Sequence, residues 1–221
     1  MSDEHTLPSE QRDFVEWHRG RPHYAVWAVA LDDPAVDRRL AQLRAALRPL
    51  LLPAYARQPH VTLQLCGFVV EAPRRDDEFG AEQWQAQADA LARLRLPPFE
   101  LRIGGAFSFV SAACLAVRDP SGSLWRLRKA LSRVATGGDA TPYVPHVTAG
   151  LYGGAWPMRE IRARLRELEA LPELAVPVTQ LAWMCYDTAV VGGPLRTLRQ
   201  FDLRAGRLRM PCECGPGTAQ A

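Results

Sequence analysis

Two copies of one tetrapeptide carry the residues best suited to chemistry. Pro59-His60-Val61-Thr62 recurs as Pro145-His146-Val147-Thr148, and each copy opens a strand-like run, PHVTLQLCGF in the first half and PHVTAGLY in the second. From composition, a second identical copy of a given four-residue string has a chance on the order of 10⁻³, so coincidence is a poor explanation. Successive side chains of a strand face opposite ways. Regular alternation therefore puts His60, Thr62, Gln64 and Cys66 on one face and Val61, Leu63, Leu65 and Gly67 on the other. The second copy sorts as His146, Thr148, Gly150 and Tyr152 against Val147, Ala149 and Leu151. Each strand then buries an aliphatic row and presents an imidazole with a hydroxyl roughly 6.5 Å further along, a spacing on the scale of a phosphate group.

Two imidazoles and two hydroxyls around one tetrahedral anion suit in-line displacement at a phosphodiester. One group must take a proton from the attacking water while another, opposite, gives one to the departing oxygen. Histidine suits both roles, because an unperturbed pKa of about 6.5 leaves both protonation states populated at neutral pH. Thr62 and Thr148 would hydrogen-bond the non-bridging oxygens. No paired Asp/Glu cluster sits near either motif, so a metal-independent mechanism without a cofactor is expected. Tyr152 and Gln64 share the histidine faces and are candidate substrate contacts. For Tyr152 two readings stay open: stacking on a base, or packing as a core aromatic. Gln64 carries the same ambiguity.

The elements that must position these residues follow from hydrophobic period and punctuation. Phe14 and Trp17, three apart, suggest a short amphipathic turn ended by Gly20 and Pro22. YAVWAVAL, residues 24–31, reads as a buried strand. Asp33 and Pro34 then start a helix whose inner face is Val36, Leu40, Leu43 and Leu47. The first motif strand is expected over 60–68 and a second helix over Ala81–Leu94. FELRIGGAFSF reads as a strand bent or bulged at Gly104-Gly105, with CLAVRD as its hairpin partner. A third helix carries Leu124, Leu127, Leu131 and Val134, the second motif strand spans 146–152, and a fourth helix runs from Pro157 to about Leu168. VPVTQLAWMCYD and LRTLRQFDL close the chain as two strands. Trp27, Trp125, Trp183 and Tyr186 are expected in the core, and His5, His18 and His23 at the surface or in packing. Two rounds of one pattern imply a duplicated, two-lobed α+β fold with antiparallel sheets lining a central groove and helices outside.

Composition sets the limits. The chain has 221 residues, 48% of them hydrophobic and 23% charged, enough for one sizeable core or two small lobes sharing a seam. No apolar run spans a bilayer and the first residues lack the order of a secretory signal, so no membrane association and a cytoplasmic location are expected. The net charge of +3 does not by itself announce nucleic acid. Every basic residue but Lys129 is arginine, which reads as a chain-wide bias and only weak support for phosphate binding. Five cysteines, Cys66, Cys114, Cys185, Cys212 and Cys214, are odd in number and suit reduced thiols. The Cys212-Glu213-Cys214 tail reads as a frayed end rather than a metal hook.

Two proline-led His-x-Thr motifs, 86 positions apart in a duplicated α+β chain, resemble the 2H phosphoesterase superfamily, best known through its 2′-5′ RNA ligase and RNA 2′,3′-cyclic phosphodiesterase branch. The resemblance runs from about Tyr24 to Leu203; Leu63 fits the hydrophobic position after threonine, and Ala149 is a smaller version. It implies an N-terminal extension over 1–23, a single bilobal domain over 24–203 with pseudo-repeats at about 24–119 and 120–203, and a flexible tail over 204–221. It also implies His60 as proton donor to the leaving 3′ oxygen and His146 as acceptor from water, leaving a 2′-phosphate. The implied substrate is an RNA terminus or small cyclic nucleotide carrying a 2′,3′-cyclic phosphate or a 2′-5′ linkage, acted on by a monomer. The alternatives are a catalytically idle nucleotide or RNA binder using the same groove, and a metal-dependent hydrolase. Residues 71–80 and 136–144 are the expected rim of the groove.

Overall fold

A computed structural model of the protein describes residues 4–134 and 142–210. The Gly137–Asp139 loop and the Cys212-Glu213-Cys214 tail lie outside the described residues. The elements in chain order are α1 (Val15–His18), β1 (His23–Ala30), α2 (Pro34–Leu47), β2 (His60–Val69), β3 (Glu78–Phe79), α3 (Ala81–Leu94), β4 (Phe99–Ser108), β5 (Ala112–Arg118), α4 (Ser123–Ser132), β6 (His146–Leu151), α5 (Met158–Glu169), β7 (Leu174–Val178), β8 (Gln180–Asp187), β9 (Arg196–Asp202) and β10 (Arg207–Arg209). They form a six-stranded sheet in the order β10-β9-β8-β1-β2-β3 and a four-stranded sheet in the order β6-β5-β4-β7. All pairings are antiparallel except the short β2–β3 pair. The two-lobed α+β architecture is therefore as expected.

Local chemistry accounts for the helices. The Asp33 carboxylate accepts from the amides of Ala35 and Val36 at 2.7 and 3.3 Å, Pro34 occupies the first turn, and Val36, Leu40, Leu43 and Leu47 are buried. Arg39, off that apolar face, is buried as well: it spans to β4 and donates to the carbonyls of Ile103 and Gly104. Those carbonyls sit at an irregularity in the β4–β5 ladder between Ile103 and Ala106, where the glycine pair was expected to bend the strand.

Sheet membership cuts across the two sequence halves. β8, β9 and β10 come from the second half but extend the sheet of β1 and β2, while β4 and β5 from the first half share a sheet with β6 and β7. The run VPVTQLAWMCYD, expected as one strand, divides at Thr179: β7 pairs with β4 in one sheet and β8 with β1 in the other. Helices cross in the same way. α2 follows β1 yet packs on β6, and α4 follows β5 yet packs on β2. One continuous apolar cluster, from Trp27 and Leu40 through Leu115 and Val147 to Phe201, fills both lobes.

Two expectations are corrected. Residues 207–209, read as tail, form the edge strand β10 on β9. Trp125, expected in the core, is 60% exposed on α4 beneath the ammonium of Lys129. The N-terminal stretch is fastened to the body, with Leu7 N–H donating to Val110 and Ser9 N–H to Tyr152. Cys66, Cys114 and Cys185 are free thiols, and no helix among the described residues is long and apolar enough to cross a membrane.

At Gly67 the backbone adopts φ +131°, and an added Cβ would lie 2.6 Å from the carbonyl oxygen of Asp77. A side chain there would be strained both by the dihedral and by backbone that cannot yield. Gly67→Ala should lower the unfolding free energy by roughly 2 kcal/mol, read as a fall in the urea midpoint at unchanged slope.

Candidate active site

Each motif strand contains the same irregularity. Along β1–β2, Trp27 pairs with Gln64 but Ala28 pairs with Thr62, leaving Leu63 as an extra residue. Along β5–β6, Ala113 pairs with Gly150 but Cys114 pairs with Thr148, leaving Ala149 extra. These are β-bulges one residue after each threonine, and a one-residue slip exchanges the faces of the residues that follow, on β2 as far as a second shift at Cys66. Before the bulge, His60 and Thr62, like His146 and Thr148, turn to the groove. After it, Leu65 and Leu151 do so instead.

The exchange corrects two candidates. Gln64 is 3% exposed, bonded by its own amide to the Leu65 carbonyl, and Tyr152 is fully buried in the core with its hydroxyl 2.6 Å from Ser108. Neither touches the groove. Cys66, itself the extra residue of that second shift, turns inward with its thiol near Gln87, and burial pushes its pKa up to about 12.

Each bulge is held by an arginine from the crossing helix. Arg44 of α2 donates from Nε to the Ala149 carbonyl at 2.8 Å, and Arg128 of α4 donates from Nη1 to the Leu63 carbonyl at 2.9 Å. Carbonyls displaced from the ladder thus find charged donors, and each half of the chain fixes the motif strand of the other. Tyr143 adds a third tie, donating to the Thr62 carbonyl at 2.9 Å while Arg128 lies 4.6 Å over its ring.

His60, Thr62, His146 and Thr148 all line one cleft of about 310 Å³. The two imidazoles are held identically: Nδ1 of His60 is 2.7 Å from the Gln58 carbonyl, and Nδ1 of His146 is 2.7 Å from the Val144 carbonyl. Nδ1–H donates in each case, so the neutral ring leaves Nε2 free to accept a proton. The motif prolines explain the repetition, because the residue before proline is driven into an extended conformation that turns its carbonyl back to the following histidine. Burial lowers the pKa of His60, opposed by the Gln58 hydrogen bond and aided by the charges of Arg57 and His146. His146 is less enclosed, with Phe109 edge-on at 5.0 Å.

Other walls of the cleft had no signal in the sequence. Tyr55 and Arg57 lie on the loop after α2, tied to the loop after β8 by the bond from Ala56 N–H to the Gly192 carbonyl. Arg57 stacks 4.1 Å over Tyr186, and its buried Nε has no partner. Tyr186, expected in the core, is therefore a wall residue, and Phe14 and Trp17 complete the side. None of residues 71–80 reaches this cleft. Of the second expected rim, Tyr143 and Val144 line an adjoining cleft of about 320 Å³ that shares Thr62 and His146 with the first. Among the described residues no three His, Cys, Asp or Glu side chains cluster to hold a metal ion.

Two antiparallel-rich sheets, each with a His-x-Thr strand facing one cleft, define a bilobal α+β class of protein. A family model described as the 2′-5′ RNA ligase superfamily matches residues 31–189. The chain belongs to that superfamily. Among solved structures, the protein TT0787 of Thermus thermophilus is similar at 20% identity, covering 82% of this chain and 98% of the other with a TM-score of 0.55. E. coli LigT complexed with 3′-AMP is similar at 21% identity, with the same coverage and a TM-score of 0.52. A protein described as a phosphoesterase gives 20%, 82%, 98% and 0.52. No curated protein matches the sequence. At these identities the structures speak for the fold, and the family match supports a phosphoesterase-type enzyme.

The site yields two predictions. Arg44→Met or Arg128→Met strands a bulge carbonyl, and each should cost about 1–3 kcal/mol of stability in chemical denaturation. Because the folded-state pKa of His60 lies below its ordinary value, the unfolded chain binds a proton that the folded chain does not. Stability should therefore fall as pH drops from about 6.5 toward that lower pKa. His60→Gln should flatten this part of the stability–pH curve; an unchanged slope below about pH 6.5 would contradict it.

Proposed function

We propose that the protein is a metal-independent phosphodiesterase that opens 2′,3′-cyclic phosphate, or cleaves 2′-5′ linkages, on RNA ends or nucleotides. The observation that carries this reading is the convergence of both His-x-Thr pairs on one cleft, with each Nδ1 satisfied by a carbonyl and each Nε2 left for proton transfer. Water attacks phosphorus, one imidazole takes its proton, and the other protonates the departing ester oxygen. Thr62 and Thr148 hydrogen-bond the non-bridging oxygens, and Arg57, cationic with an unpartnered Nε, adds charge on the same wall. The adjoining cleft meets the first at Thr62 and His146, so a diester phosphate at the junction has room for an ester arm on each side. That LigT is described in complex with 3′-AMP supports a nucleotide as ligand here.

His60 is the proton donor in this reading and His146 the acceptor. Burial holds His60 toward its neutral form, and the negative charge of an arriving phosphate favours its protonation. The donor thus gains its proton as the substrate binds. A donor is needed for an alkoxide leaving group and scarcely needed for p-nitrophenolate. His60→Ala should lose about 10²–10⁴-fold in turnover of a 2′,3′-cyclic nucleotide, while cleavage of a p-nitrophenyl phosphodiester is largely spared. His146→Ala should lose on both. Excess chelator should leave wild-type rates unchanged. Turnover of the cyclic nucleotide that survives both histidine changes would remove the mechanism, and tight nucleotide binding without turnover would favour the idle binder.

A further inference from the structure

Residues 4–22 precede the family match and still form part of the cleft wall. The segment is pinned at both ends to different lobes. On the second lobe, Thr6 Oγ1 donates to the Gly154 carbonyl, Leu7 N–H to Val110 and Ser9 N–H to Tyr152. On the first, buried Arg21 forms a two-pronged pair with Asp77 at 2.8 and 3.0 Å and lies 3.7 Å over Phe68. Between these anchors the chain runs beside the histidines, with Phe14 and Trp17 facing the cleft.

Trp17 ends a ladder of rings. It stacks on Tyr24 at 5.6 Å and 26°, and Tyr24 stacks on Tyr186 with the same spacing and tilt. The guanidinium of Arg57 closes the far end. Packed also on Phe68 at 4.8 Å, the indole is held in place and still 42% exposed beside a polar cleft, so it offers ring surface to a ligand there. Along β1, the Tyr24 row lies four residues from Ala28, the partner of Thr62, a span of roughly 13 Å. That is the scale of one nucleoside hanging from a phosphate held at the threonines.

The geometry points to a nucleobase-stacking subsite formed by Trp17 and Phe14 of the N-terminal strap, which selects ligands carrying a base over phosphate alone. This rests on reading the histidine cleft as a phosphate site. Aromatic faces suit any base, so the subsite supplies affinity for a nucleoside and little discrimination among bases. It also gives the strap a role beyond closing the fold, since its two anchors fix Trp17 relative to both histidine strands.

The test is calorimetric titration with adenosine 2′-monophosphate and with inorganic phosphate. Wild-type protein should bind the nucleotide more tightly than phosphate. Trp17→Leu keeps apolar packing on Tyr24 and Phe68 but loses the broad ring, and should weaken nucleotide binding about tenfold with phosphate affinity unchanged. Trp17→Phe should retain most of the nucleotide affinity. Nucleotide binding unaffected in Trp17→Leu, equal losses for nucleotide and phosphate, or wild-type protein that does not prefer the nucleotide would each overturn the subsite. Failure of the phosphodiesterase reading is separately visible: nucleotide bound in the expected pattern with no turnover of its 2′,3′-cyclic phosphate leaves the stacking subsite intact.

Discussion

The structure depends on an extra residue in each motif strand and the arginine that holds its carbonyl. Without Leu63 and Ala149 displaced from the ladder, period-two alternation would carry the groove face straight along β2 and β6 and would expose Gln64 and Tyr152. With them, two polar positions face the cleft and the strand then returns its bulkier side chains to the core. The displaced carbonyls accept from Arg44 and Arg128, each borne by the helix that crosses from the other half of the chain. Buried carbonyls without donors would be costly, so the clasp and the bulge stabilise one another. The same contacts lock the two strands into a fixed relation, the precondition for two imidazoles sharing one anion.

Proton transfer needs a defined nitrogen as well as a defined position. In both motifs the proline sets the preceding residue, whose carbonyl engages Nδ1 of the histidine. The tautomer is thereby chosen by backbone, which does not titrate, and the ring's freedom to rotate is removed before any ligand arrives. A short peptide unit of Pro-His-x-Thr thus contains its own orienting group, which is reason enough for the unit to recur whole.

Much of this was legible in sequence because the signals are local. The Asp33-Pro34 start of α2, the bounds of α3, the bend at Gly104-Gly105 and the doubled motif each rest on residues within a few positions of one another. What escaped depends on distant partners. Neither Leu63 nor Ala149 is a residue type that marks a bulge, so alternation was extended through them and misassigned Gln64 and Tyr152. The apolar run across Thr179 reads as continuous, yet its two parts meet strands that lie far apart in sequence. Arg44, Arg57 and Arg128 could not be told from the chain-wide arginine bias, because their roles appear only when the two halves cross. Trp17 looked like one side of a small helix, and its use as a wall follows from bonds that tie residues 6–9 to residues 110–154.

A duplicated site presents a difficulty that the remaining asymmetry answers. Two equivalent histidines around a phosphate cannot by themselves distinguish the entering from the leaving oxygen. Here the environments differ: His60 is buried beside Arg57, whereas His146 is more open and meets the edge of Phe109. The walls differ as well, since the strap, the Tyr55–Arg57 loop and the loop after β8 enclose one cleft, while Tyr143 and Val144 shape the adjoining one. In the proposed reaction the doubled motif supplies matched chemical groups, and the unrepeated segments would give them different jobs, through the burial that disfavours the charged form of His60 and through which ester arm lies beside each ring. Direction in such a site therefore resides in the parts of the chain that the repeat does not include.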